Sequence, residues 1–137
     1  DKIDWMYLSN NENDSAIELL EANMDKIYWK WLSANKNPRA VQLLKKNIDK
    51  ICWVDLSYNS CDLALDLLEA NVDKIYWVNL CLNSNIRALK LLERYPDKID
   101  WYMLSANQNP YALRILEKNI EFIFWNIFFY SCIFFYY

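Results

Sequence analysis

Apolar and polar positions along this chain follow a pattern that repeats every 24 residues without insertion. The string D-K-I-x-W opens at Asp1, Asp25, Asp49, Asp73 and Asp97, and Glu121-Phe122-Ile123-Phe124-Trp125 is a degraded sixth copy. Counting slots from that acidic residue, slot 5 is Trp5, Trp29, Trp53, Trp77, Trp101 and Trp125; slot 8 is leucine from Leu8 to Leu104. Slot 11 is asparagine from Asn11 to Asn107, slot 16 is alanine from Ala16 to Ala112, and slots 19 and 20 are Leu-Leu except for Ile115-Leu116. Recurrence of this kind means that each unit solves the same packing problem against its neighbours.

Each unit reads as helix, turn, helix. Asp at slot 1 is a favourable N-cap, which predicts a first helix over slots 2 to 9. Asn at slots 11 and 13 suits side-chain-to-backbone bonding in the turn, and Asn37-Pro38 and Asn109-Pro110 set a cap before a proline at the first helical position. At 100° per residue, slots 16, 17, 19 and 20 then share an apolar face, and slots 14, 15, 18, 21 and 22 carry most of the charge. Asn23, Asn47, Asn71 and Asn119 stand where a left-handed residue would end the second helix. Helices this short do not persist alone, since about 12 to 15 residues are marginal in water. Stacking must stabilise them, and the pattern predicts an all-α solenoid of 24-residue helix-turn-helix repeats. The units are 1–24, 25–48, 49–72, 73–96 and 97–120, followed by a degenerate apolar partial repeat at 121–137. The tryptophans form a ladder in which Trp53 and Trp77 are expected to be buried between units while Trp31, at a variable slot, is at least partly exposed.

Composition narrows the chemistry. The chain has 137 residues with no glycine and no histidine. Without glycine there is no P-loop, no G-x-G-x-x-G turn and no G-x-S-x-G elbow; without histidine the usual triads and the H-E-x-x-H zinc site are gone. Cys52, Cys61, Cys81 and Cys132 show no C-x-x-C pairing, so no metal or cofactor is expected, and they read as reduced intracellular thiols. Asp4, Asp55 and Asp100 lie in different units and do not form a catalytic pair on spacing, so no enzyme is expected. The first residue is Asp1 and no signal peptide precedes the repeats, so the chain reads as a fragment of something longer.

The net charge of -3 disfavours nucleic acid as a partner. By unit the charge runs -5, +5, -4, +2 and 0, with -1 beyond. Such alternation is either a solvated surface with weak ion pairs or a device that favours the correct stacking order. One local basic island remains, formed by Lys26, Lys30, Lys36, Arg39, Lys45 and Lys46.

The string L-S-x-N-x-N-P-x-A-x-x-L-L-E-x-N, present at Leu32 to Asn47 and Leu104 to Asn119 with minor departures, resembles the helical part of ankyrin repeats. The unit is 24 residues rather than about 33, and the T-P-L-H signature is missing. The β-hairpin finger is therefore absent from the pattern, and its contacts do not transfer. More closely, D-K-I-x-W-x-x-L-S-x-N resembles the ankyrin-like short tandem-repeat proteins of giant DNA viruses of amoebae, over residues 1 to about 126. That resemblance implies protein interaction without catalytic residues, with a host or viral protein as partner and the host cytoplasm as location. The content of Asn, Lys, Ile, Tyr and Phe fits an A/T-rich coding genome.

If invariant slots hold the core, variable slots on one face are candidates for recognition. Slots 6, 7 and 10 of the first helix supply Met6, Tyr7, Lys30, Trp31, Asp55, Tyr58, Asn79, Tyr102 and Met103, a set rich in residue types common at protein interfaces. The alternative is that some of them pack against neighbouring first helices. Residues 122–137 carry no charge and are dominated by Phe, Tyr and Ile. They read as a degenerate cap, a frameshifted end or a membrane anchor, although sixteen residues fall short of the roughly 20 needed to span a bilayer. Their apolar surface would favour self-association. The runner-up functions are a membrane-associated protein held by this segment and a decayed, non-functional repeat copy.

Overall fold

The structure is a computed structural model that describes residues 2–121, all helix and connecting turn with no strand among them. The expectations for residues 122–137, including Trp125 and Cys132, lie outside the described residues. Five first helices, α1 (Trp5–Ser9), α3 (Trp29–Ala34), α5 (Trp53–Tyr58), α7 (Trp77–Cys81) and α9 (Trp101–Ser105), alternate with five second helices. The second helices are α2 (Asp14–Glu21), α4 (Pro38–Lys46), α6 (Asp62–Ala70), α8 (Ile86–Arg94) and α10 (Pro110–Lys118). Each first helix packs on the second helix of its own unit and on the next first helix, and each second helix packs on the next second helix.

The first helix starts later than its acidic residue suggests. Asp25, Asp49, Asp73 and Asp97 sit in single 3-10 turns (Met24–Lys26, Ile48–Lys50, Val72–Lys74, Pro96–Lys98), and the α-helix begins at the tryptophan. The reason is the isoleucine between them: Ile27, Ile51 and Ile75 are 6–7% exposed and hold extended backbone, ψ 127 to 128°, to bury their side chains. Capping moves to slot 4, where the Asp4 and Asp100 carboxylates accept backbone N–H bonds; Tyr28, Cys52 and Tyr76 offer no side-chain cap.

The second helices start as their sequence predicts. Asn13, Asn37, Asn85 and Asn109 accept from the N–H two residues on, and Pro38 and Pro110 occupy the first turn. Their ends differ from expectation, because no residue among those described has positive φ. Asn47 and Asn71 keep φ near -132 and -137°, and the side-chain amides of Asn23, Asn47, Asn71 and Asn119 donate to the carbonyl four residues earlier. Side-chain bonding to a terminal carbonyl replaces the left-handed residue.

The core runs through the array between the two rows of helices. Leu32, Leu56, Leu80 and Leu104 from slot 8 are fully buried, as are Ala40, Ala64 and Ala88, with Leu44, Leu68 and Leu92 beneath them. The inward face weakens at the ends, where Leu19 and Leu113 are exposed. The tryptophan ladder is only half-buried: Trp53 and Trp77 pack against the core from its edge, which corrects the expectation that they are enclosed. Trp5, Trp29, Trp53, Trp77 and Trp101 each open a first helix and pack, partly buried, against the core. Lys74 Nζ lies 5.0 Å from the Trp53 ring, and Tyr95 stands 5.1 Å from Trp77.

Candidate protein-binding face

Polar bonds fix how one unit is placed on the next, and therefore how the first helices line up. The asparagine at slot 11 serves two units at once. Asn59 is 1% exposed; its Nδ2 donates to the carbonyls of Ser33 at 3.0 Å and Asn35 at 2.8 Å, while its Oδ1 accepts from the Cys61 N–H. Asn35, Asn83 and Asn107 make the same bonds one unit apart, forming a buried spine along the array. Slot 9 adds a second tie. The hydroxyls of Ser9, Ser33 and Ser57 donate to the tryptophan carbonyl of their own helix and accept the slot 4 N–H of the following unit at 3.0 Å. The recurrence of asparagine in the sequence signalled a turn; its span across two units was not foreseen.

On the outer face of the second helices, the charge alternation resolves into specific pairs. Arg39 bonds Glu18 at 2.8 Å and Glu21 at 2.6 Å, and Arg87 bonds Asp66 at 2.7 Å and Glu69 at 3.2 Å. These neighbouring carboxylates raise the pKa of both guanidinium groups, which remain cationic at all working pH. Each arginine reaches from a basic unit back to the acidic unit before it.

With the first helices held in this register, the nine candidate residues divide. Tyr7 (67% exposed), Trp31 (38%), Tyr58 (53%) and Tyr102 (69%) project from the row of first helices, and Lys30 is exposed beside Trp31. Trp31 is thus partly exposed as expected. The other four are half-buried, and three of them have internal roles. Met6 is partly covered, and Met103 packs on the core. Asp55 accepts from the Cys52 thiol at 2.8 Å, and Asn79 donates to the Val54 carbonyl of the previous unit at 3.0 Å. Asn79 therefore helps to join units, the alternative weighed for these slots. Two aromatic side chains outside the chosen slots, Tyr28 and Tyr76 at slot 4, are each 52% exposed on the same row of elements. Their alternation with Asp4, Cys52 and Asp100 was the available signal.

Several other titratable groups serve the fold. Asp4 and Asp100 cap helices. Burial pushes the Cys81 thiol up to about 11, with the Asp100 carboxylate adding a smaller upward push and the Asp100 backbone N–H opposing it. The Cys52 thiol is raised first by burial and then by its bond to Asp55. Among the described residues no cluster of cysteine and carboxylate side chains could hold a metal, and no helix is long and apolar enough to cross a membrane. No family model, curated protein or solved structure matches the chain.

Proposed function

We propose that the chain is a non-catalytic α-solenoid that holds a protein partner along the exposed row of its first helices, inside the cell. The observation that carries this reading is the contrast within one helix. Slot 8 keeps leucine in every full unit and buries it in four of the five, with Leu8 partly buried at the end, whereas slots 6, 7 and 10 change from unit to unit and leave Tyr7, Trp31, Tyr58 and Tyr102 facing outward. Aromatic side chains anchor interfaces because they bury much area with few rotors. The resemblance to ankyrin-like tandem repeats of giant DNA viruses of amoebae supports a host or viral protein as the partner. The test is capture from amoebal lysate by the wild-type chain and by a Tyr7→Ala/Trp31→Ala/Tyr58→Ala variant with unchanged helix content. A protein retained by the first and lost by the second is the expected result. Identical capture by both, or capture of nothing, overturns the reading.

A further inference from the structure

The junction between units two and three departs from the repeat in a way that opens a site. In units two and four, slot 15 holds Arg39 and Arg87, which cross to carboxylates at slots 18 and 21 of the unit before. In unit three slot 15 is Leu63, and the positions it faces in unit two are Gln42 and Lys45. No charged fork spans the α4–α6 groove. A cleft of about 240 Å³ lies there instead, with Val41, Leu63, Leu67 and Ala70 as its apolar wall.

The volume and the rim define what fits. Small-molecule pockets start at roughly 300 Å³, and an apolar cavity of about 150 Å³ already holds benzene. The cleft therefore suits one large apolar side chain. Its two charged rim residues are Lys45 and Asp66. Asp66 is engaged by Arg87, whereas Lys45 pairs with no carboxylate among the described residues. Lys46 and Lys36, both exposed and likewise without an ion pair, extend the positive field over the same unit.

We propose that the α4–α6 cleft receives a single aromatic or leucine side chain from an acidic peptide segment of a partner protein, with Lys45 meeting a carboxylate next to that anchor. Charge complementarity selects this occupant: a neutral or basic segment would leave Lys45 uncompensated or repelled when the anchor is seated. The surface lies on the second helices, separate from the aromatic row of the first helices.

Fluorescence anisotropy with a labelled peptide carrying one Phe between Asp and Glu residues, titrated with the folded chain up to about 1 mM, tests the assignment. Saturable binding is expected, with a loss of about tenfold or more on Lys45→Glu or on replacing the peptide's Phe by Ser. Ala70→Leu, at an exposed rim position, should fill the cleft and cause a similar loss without unfolding the chain, as a circular dichroism melt will show. The Tyr7→Ala/Trp31→Ala/Tyr58→Ala variant should bind the peptide as the wild type does, so failure of the first-helix reading stays distinguishable. Absence of binding, equal binding of a Lys-flanked peptide, or binding unchanged by both Lys45→Glu and Ala70→Leu overturns the proposal.

Discussion

Between units one and two, Asn37 donates to the Glu12 carbonyl and to the Asp14 carboxylate, each at 2.7 Å, and Arg39 grips Glu18 and Glu21. Units three and four repeat the arrangement with Asn85, Asp62 and Arg87. Between units two and three the same positions hold Cys61 and Leu63, and neither side chain makes a polar bond across the junction. There the asparagine spine and the Ser33 hydroxyl supply the polar ties, and apolar packing of Leu63 and Leu67 supplies the rest. The first three joints, built on closely similar inward slots, are thus of two kinds. The clamped joints depend on surface charge, and the unclamped joint depends on a buried amide.

If that distinction holds, the largest effect belongs to the spine at the unclamped joint. Asn59→Ala strands two buried carbonyls and the Cys61 N–H, and at about 1 to 3 kcal/mol for each unsatisfied group it should cost about 3 kcal/mol or more in urea melts. Asn35→Ala, beside the Arg39 clamp, should lose less and keep a single transition, whereas Asn59→Ala should separate unfolding of the two halves. Equal losses would erase the difference between joints.

Junction four to five is a third case, because Cys81 replaces serine at slot 9. Its folded pKa near 11 lies above the ordinary value of 9.0, so the protonated thiol is the form the fold favours. Stability from this group is present below pH 9 and is lost as pH rises from about 9 to 11, by about 2 kcal/mol at one pKa unit per 1.36 kcal/mol. Cys81→Ser should flatten that slope. Iodoacetamide should label the half-buried Cys61 in the folded chain well before Cys81.

Leu63→Ala removes part of the apolar joint and should cost about 1 to 2 kcal/mol, since the side chain is only partly buried. Cys61→Asn should act in the opposite sense. It restores a donor that can reach the Lys36 carbonyl, as Asn85 reaches Ser60, with a gain of about 0.5 to 1.5 kcal/mol. The smallest effect is ionic: Arg39→Met and Arg87→Met should lower the midpoint at low salt and lower it less at about 1 M, where the Debye length shrinks to about 3 Å.

Several of these features were legible in the chain. The 24-residue period, the second helices with Asn-Pro starts in two of them, the buried leucines at slot 8 and the partial exposure of Trp31 follow from pattern and cap chemistry, because a preference that recurs along the chain marks the shared positions and a departure from it marks the variable ones. The unit charges pointed to opposite-sign neighbours, although only the structure shows that the joint between units two and three lacks the fork. The late start of the first helix was not legible, since Asp25 and its counterparts are good caps in isolation and the burial of Ile27 overrides them. Nor was the end of the second helix, where Asn47 bonds backward with its side chain instead of turning left-handed. Of the candidate face, Tyr7, Trp31, Tyr58 and Tyr102 are exposed, whereas Asn79 and Asp55 are held by bonds to Val54 and Cys52 that their variable slots do not signal.

By itself the sequence determined the unit, its length, its two helices and the inward slots other than the tryptophan at slot 5, because periodicity encodes the face of each helix that must be buried. Tertiary structure alone decided the polar seams: that Asn59 spans two units, that Ser33 holds the backbone of Cys52, and that Leu63 leaves a cleft where Arg39 and Arg87 close theirs. The physical reason is that a side chain's partners 18 to 26 residues away are set by how one unit sits on the next, and no local preference carries that placement.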